Sequence, residues 1–307
     1  MRLTISPAGL RPALIRTAAG LCLALVSAPA FAQDPAVPPG LPNPLSGAET
    51  DPPPALTITG SAALLSDYRF RGVSQSDEEV AIQAGVTLNH ESGFYAGFWG
   101  SNLAGWGTFG GANIELDLLA GYKFKPSENA TLDVGVTYYM YPGGADETDF
   151  FEPYVKLSGT QGPLTLTAGV AYAPKQQALG RYYFTGADAA AGVFNDEGDT
   201  EDNLYLFGDA LAAITGTPLT AKAHIGYTEG NPGLGPNATS VAPTGEYWDW
   251  SLGLDATFRN LTLGVAYVDT DISRREAAYL QPSFSRGQDG AGSIADATVV
   301  FSLTAAF

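Results

Sequence analysis

The sequence is short of the residues from which most active sites are built. Its single cysteine, Cys22, falls in an N-terminal targeting stretch. The remainder has no disulfide and no thiol chemistry. There are two histidines, His90 and His224, and no His/Cys spacing that would hold zinc. No G-x-S-x-G is present. Gly110-Gly111 and Gly143-Gly144 lack the strand-to-helix context of a phosphate cradle. Positive charge is scarce: 15 Lys and Arg stand against 32 Asp and Glu, a net charge of -17. A nucleic-acid partner needs a basic patch and is excluded on this ground. Beyond the first 32 residues no apolar run approaches the length of a membrane-spanning helix. If the chain spans a bilayer, a closed barrel is the structure left to it.

What is present points that way. Arg2, Arg11 and Arg16 precede a short apolar run over 17–28, and Ala30-Phe31-Ala32 has the small-x-small form of a cleavage site. The reading is a signal peptide over 1–32 and a mature chain from Gln33, whose net charge falls to -20 once those three arginines are removed. Leu21 before Cys22 does not suit a lipoprotein signal. Residues 33–55, ending in Pro52-Pro53-Pro54, cannot enter a sheet interior and read as a periplasmic linker.

From Leu56 onward the period is two. The last stretch is the clearest: Val299, Phe301, Leu303, Ala305 and Phe307 alternate with Thr298, Ser302 and Thr304. The same pattern predicts strands over 56–70, 79–89, 94–101, 112–125, 131–141, 150–158, 164–173, 202–213, 219–228, 247–258, 261–268 and 296–307. That is an even number, at lengths suited to tilted spanning strands. Connections alternate between short and longer, as periplasmic turns and outer loops do. The expectation is an all-β, transmembrane, antiparallel up-and-down barrel of about twelve strands over 56–307. Lipid-facing aromatics are expected at the outer strand ends (Phe70, Tyr138, Tyr172, Tyr227, Trp248, Tyr267) and at the inner ends (Tyr122, Phe124, Phe258, Phe307).

Two stretches carry a family resemblance: Ser66-Asp67-Tyr68-Arg69-Phe70-Arg71-Gly72-Val73-Ser74-Gln75, and Glu91 through Asn102, reading ESGFYAGFWGSN. With Glu115-Leu116-Asp117 and Gly121-Tyr122 they resemble the TorF-type porin family of Gram-negative bacteria, specifically over about 57–125. The loops at 174–201 and 270–293 are longer than that family leads one to expect. The resemblance implies a barrel in the cell outer membrane with a porin's architecture, and it brings no established substrate. A terminal Phe307 resembles the signal read by the barrel-assembly machinery.

Parity assigns the charged side chains to the lumen. The pore-lining candidates are Asp67, Arg69, Arg71, Glu115, Asp117, Lys123, Asp133, Glu152, Lys156, Lys222, Asp249 and Asp255, because on the lipid face each would cost a few kcal/mol near the midplane. Asp209 belongs with them. They either set a field that selects small polar solutes or ions, or pair with one another and fill a narrow barrel. His224 is read as a satisfied lumen histidine and His90 as a turn residue. The acidic run over 196–202 reads as a solvated loop. The expected function is passive diffusion with a preference for cations, no enzymatic turnover, no cofactor and no metal. Its partners would be outer-membrane lipid, the barrel-assembly machinery and small solutes. The alternative is a non-conducting barrel acting through its loops. A homo-oligomer is left open.

Overall fold

The computed structural model describes residues 55–106, 109–180, 185–193, 198–233 and 241–307. The signal-peptide and linker readings over 1–55 fall outside these residues apart from Ala55, as do Asp196 and Glu197 of the acidic run.

Among the described residues there are fourteen strands, one short α-helix and four single-turn 3-10 helices. The strands are β1 (Leu56–Leu65), β2 (Arg69–Phe70), β3 (Val73–Ser74), β4 (Ala81–His90), β5 (Phe94–Asn102), β6 (Ile114–Ser127), β7 (Ala130–Met140), β8 (Phe150–Gln161), β9 (Leu164–Gln176), β10 (Glu201–Ala213), β11 (Leu219–Gly230), β12 (Glu246–Phe258), β13 (Leu261–Thr270) and β14 (Thr298–Ala306). Helix α1 (Gly186–Ala191) lies in the β9–β10 connection. Twelve strands, all but β2 and β3, form a closed barrel in which sequence neighbours pair antiparallel. Closure is by β1 against β14, from Ser61 opposite Ala306 to Leu65 opposite Ser302. The backbones of Gly60 and Phe307 exchange two further hydrogen bonds, of 2.8 and 2.9 Å.

The alternation predicted from sequence is the alternation of the walls. Ile58, Ile82, Phe98, Leu118, Leu252, Phe301 and their neighbours in parity are exposed on the outside. Soluble monomers rarely expose contiguous apolar patches of more than a few hundred Å², and a belt of this kind marks a surface that meets lipid or another protein. Glu115, Asp117, Glu152, Lys222, Asp249 and Asp255 point inward and are buried, with Thr59, Thr87, Thr137 and Ser251 among the hydroxyls. Short turns follow β4, β6, β8, β10 and β12 at one end; the longer connections gather at the other. Tyr138, Tyr172, Trp248 and Tyr267 are exposed toward the long-connection end, and Tyr122, Phe124, Phe258 and Phe307 at the short-turn end. The Phe307 ring crosses Gly60, where an added Cβ would come within 2.6 Å of it.

One expectation fails. The first strand does not run to Phe70 but stops at Leu65, and Phe70 is not lipid-facing: it is 2% exposed. Ser66 still bonds β14, through its N–H to the Phe301 carbonyl and its hydroxyl from the Phe301 N–H, both at 2.9 Å. Then the chain turns into the barrel. Once it leaves the sheet, parity no longer says which way a side chain points. Residues 66–80 form an inward hairpin, β2 against β3, that turns through Arg71 and Gly72 at positive φ. Gly72 is required there: a Cβ would lie 2.4 Å from the Thr270 side chain.

A candidate channel lumen

The lumen divides into two halves of different character. In the long-connection half the inward hairpin fills the space. Its acidic hub is Asp67, whose carboxylate accepts from Arg69 Nε at 2.5 Å, Ser74 Oγ at 2.6 Å and Ser76 Oγ at 3.1 Å. Arg69 reaches on to the carbonyls of Gly72, Ile294 and Asp296 at 2.9–3.0 Å, and to Glu78 at 3.1 Å. The hairpin is thereby tied to the connection that leads into β14.

Arg71 crosses to the far wall. It donates to both Glu152 oxygens at 2.7 Å and to Asn203 Oδ1 at 2.6 Å. Its guanidinium stacks over the Tyr205 ring at 4.1 Å and the Phe70 ring at 4.9 Å. Glu152 has no solvent exposure and Arg71 has 2%. A charge that deep is held by its partner, because removing either leaves the other desolvated and uncompensated. Tyr68 donates to Glu115 at 2.8 Å, and Asp117 follows on the same inward face of β6. Apolar packing adds to this: Leu65, Tyr68, Phe70, Tyr139, Tyr141 and Phe150 form one cluster, and Val73, Tyr247, Ile272, Leu280, Phe284 and Ile294 another.

In the short-turn half several wall charges keep part of their solvent access. Lys123, Asp133, Lys156, Phe207 and Asp209 are half-buried. Lys222 pairs with Asp255 at 2.6 Å. His224 sits between two carboxylates, Nδ1 at 2.7 Å from Asp209 and Nε2 at 3.1 Å from Asp249, with the Tyr205 hydroxyl 2.9 Å from Nε2. His90 bonds its own turn through Ser92 at 2.7 Å.

All twelve pore-lining candidates therefore lie on the interior side, but not as one lining. Asp67, Arg69 and Arg71 belong to the hairpin. Glu115, Asp117 and Glu152 face that hairpin from the wall. Asp249 lies where the two halves meet, and Lys123, Asp133, Lys156, Lys222 and Asp255 face the more open half. Parity missed a set of inward aromatics, Tyr95, Tyr154, Tyr205 and Phe207. Each lies flat across an inward glycine: Tyr95 over Gly121, Tyr154 over Gly135, Tyr205 over Gly226 and Phe207 over Gly169, where a Cβ would come within 2.1–2.6 Å of the ring or its hydroxyl. The inward glycines were the available signal, since Gly121 and Gly135 share parity with Lys123 and Asp133.

Residues 48–307 match the family Gcw_chp, described as a bacterial protein of unknown function. The chain belongs to the Gcw_chp family. No functionally curated protein matches it by sequence. Among solved structures it is similar to a NanC porin at 12% identity, covering 82% of this chain and 99% of that one with a TM-score of 0.49. It is also similar to another porin at 9% identity, covering 82% of this chain and 100% of that one (TM-score 0.38). A third is the outer membrane channel DcaP of Acinetobacter baumannii, at 11% identity with coverage of 82% and 97% (TM-score 0.35). For this Gcw_chp member, residue roles rest on its own geometry.

Proposed function

We propose that this Gcw_chp protein is a porin-like barrel of the bacterial outer membrane, passing small hydrophilic solutes or ions by diffusion through a lumen narrowed by residues 66–80. The observation that carries this reading is the pairing of a continuous apolar exterior with a charged interior in a closed twelve-strand barrel. The TorF-type resemblance over 57–125 supports it. Residues 1–32 would be the signal peptide, 33–55 the periplasmic linker, and Phe307 the contact for the barrel-assembly machinery.

Selection would be by size and charge, with no turnover. Cation preference would arise in the narrowed half. There Arg69 and Arg71 are matched by Asp67 and Glu152, and Glu115 and Asp117 add further negative charge on the wall. A liposome-swelling assay with neutral sugars of graded size tests the reading. Swelling with the smallest sugars and none with disaccharides is expected. A folded barrel that admits no solute, ions included, overturns it.

A second reading has its own observation in favour. The long-connection half is packed with side chains that have almost no exposure, Arg69, Arg71 and Glu152 among them. A barrel closed in this way would act through its long connections as a structural or surface protein. Absence of any conductance in correctly folded protein is the outcome that selects it.

A further inference from the structure

We infer that the short-turn half of the lumen holds a binding site for the oxyanion of a small solute, a carboxylate or a phosphate, with Lys123 and Lys156 as the groups that contact it. The site lies in the short-turn half, apart from the narrowed half whose charge would favour cations, and the inference rests on the porin-like reading only for how the solute arrives.

The site is built by strand register. Lys123 on β6 lies directly opposite Asp133 on β7, and Asp133 directly opposite Lys156 on β8. Two ammonium groups thus flank one carboxylate in a single row, on strands spaced about 4.8 Å apart. Asp133 is itself engaged, accepting from the Tyr95 hydroxyl at 2.8 Å.

Each ammonium rests on an aromatic face, Lys123 on Tyr95 at 4.8 Å and Lys156 on Tyr154 at 4.1 Å. The rings lie against the wall because Gly121 and Gly135 offer no Cβ, and the two tyrosine hydroxyls bond each other. Ring and glycine together hold the flexible lysine stems toward the lumen. That preorganisation lowers the ordering cost of binding. The other lumen cations contrast with this pair. Arg69, Arg71 and Lys222 are nearly without exposure, whereas Lys123 and Lys156 are half-buried and keep solvent access. Phe207 lies beside Lys156, its ring 6.0 Å from the ammonium, and provides an apolar surface for the carbon of an organic anion.

Isothermal titration calorimetry on the folded barrel in detergent tests the site, with benzoate, its neutral isostere benzamide, and inorganic phosphate as probes. Saturable binding of benzoate or phosphate without binding of benzamide is expected, and the tighter of the two anions identifies the source of the oxyanion. Lys123→Gln and Lys156→Gln should each weaken binding about tenfold, while Lys175→Gln, at the exposed long-connection end of β9, should leave it unchanged. Folding of each variant is read from heat-modifiable electrophoretic mobility, and either single variant suffices if the other does not fold. Equal binding of benzoate and benzamide, anion affinity indifferent to both lysines, or no anion binding by folded wild type would each overturn the site. Binding is read without flux. A barrel that binds but never conducts keeps the site and loses the channel; one that conducts without binding does the reverse.

Discussion

Replacing Arg71 with alanine should release the inward hairpin without unfolding the barrel. Arg71 reaches from the hairpin to the far wall, holding Glu152 through two contacts of 2.7 Å and Asn203 at 2.6 Å. Its loss takes the guanidinium from the Glu152 carboxylate, which has no exposure at all. Breaking a buried pair from one side costs about 3–5 kcal/mol. At about 1.4 kcal/mol per factor of ten, that shifts the closed-to-open balance of residues 66–80 between roughly a hundredfold and a few thousandfold. The twelve-strand ladder does not depend on this contact, so the loss should appear as local opening. Native-state hydrogen exchange reads it at two amides inside the hairpin: Tyr68 N–H, which donates to Ser76 Oγ at 2.9 Å, and Gln75 N–H, which donates to the Tyr68 carbonyl at 2.7 Å. Both should exchange at least about a hundredfold faster in the variant, while strand amides stay protected and single-channel conductance rises. Glu152→Gln should act in the same direction but less, since Asn203 remains to hold Arg71. Unchanged exchange at Tyr68 and Gln75 with unchanged conductance would refute the reasoning: the hairpin would then be held by its apolar packing and by Arg69 alone.

The remaining predictions test the wall. Leu252 is at the centre of β12 and 63% exposed on the outside. Leu252→Arg would be nearly neutral on a wet surface but should cost about 2–4 kcal/mol at a bilayer midplane, read by urea-dependent folding into lipid vesicles. Gly169→Ala places a Cβ 2.2 Å from the Phe207 ring. The ring must leave the wall, and a loss of about 1–3 kcal/mol in the same folding assay is expected, typical of overpacking. Deleting Phe307 removes the ring over Gly60 and the last two backbone bonds of the closure. The fraction of heat-modifiable, folded protein recovered from outer membranes should fall severalfold, and an unchanged yield would remove any role for this residue in assembly.

The walls were legible from sequence because a strand with lipid on one side and charge on the other must alternate. Every predicted strand has its counterpart, from the closing strand β14 back to β1. The division of connections into short and long was equally readable, since turn residues stand at fixed points between alternating runs. The hairpin was not. Tyr68 and Phe70 continue the parity of Ile58 and Leu64, and nothing local marks Ser66 as the point of departure. The cue lay in Arg71-Gly72, a pair whose positive φ suits a tight turn, but that geometry is invisible to a count of alternating residues. Nor could the lysine row be read. Lys123, Asp133 and Lys156 are on three strands, and only the register brings them level. Inward aromatics were hidden for a similar reason. Tyr95 and Tyr154 need Gly121 and Gly135 on neighbouring strands, and an expectation of aromatics on the lipid side drew attention elsewhere.

Single-channel recording of the purified, folded protein in a planar bilayer across a KCl gradient tests the account most directly. It predicts discrete openings of small conductance, with a reversal potential on the cation side, and a larger conductance in Arg71→Ala. A heat-modifiable, correctly folded barrel that stays silent in both forms would contradict it.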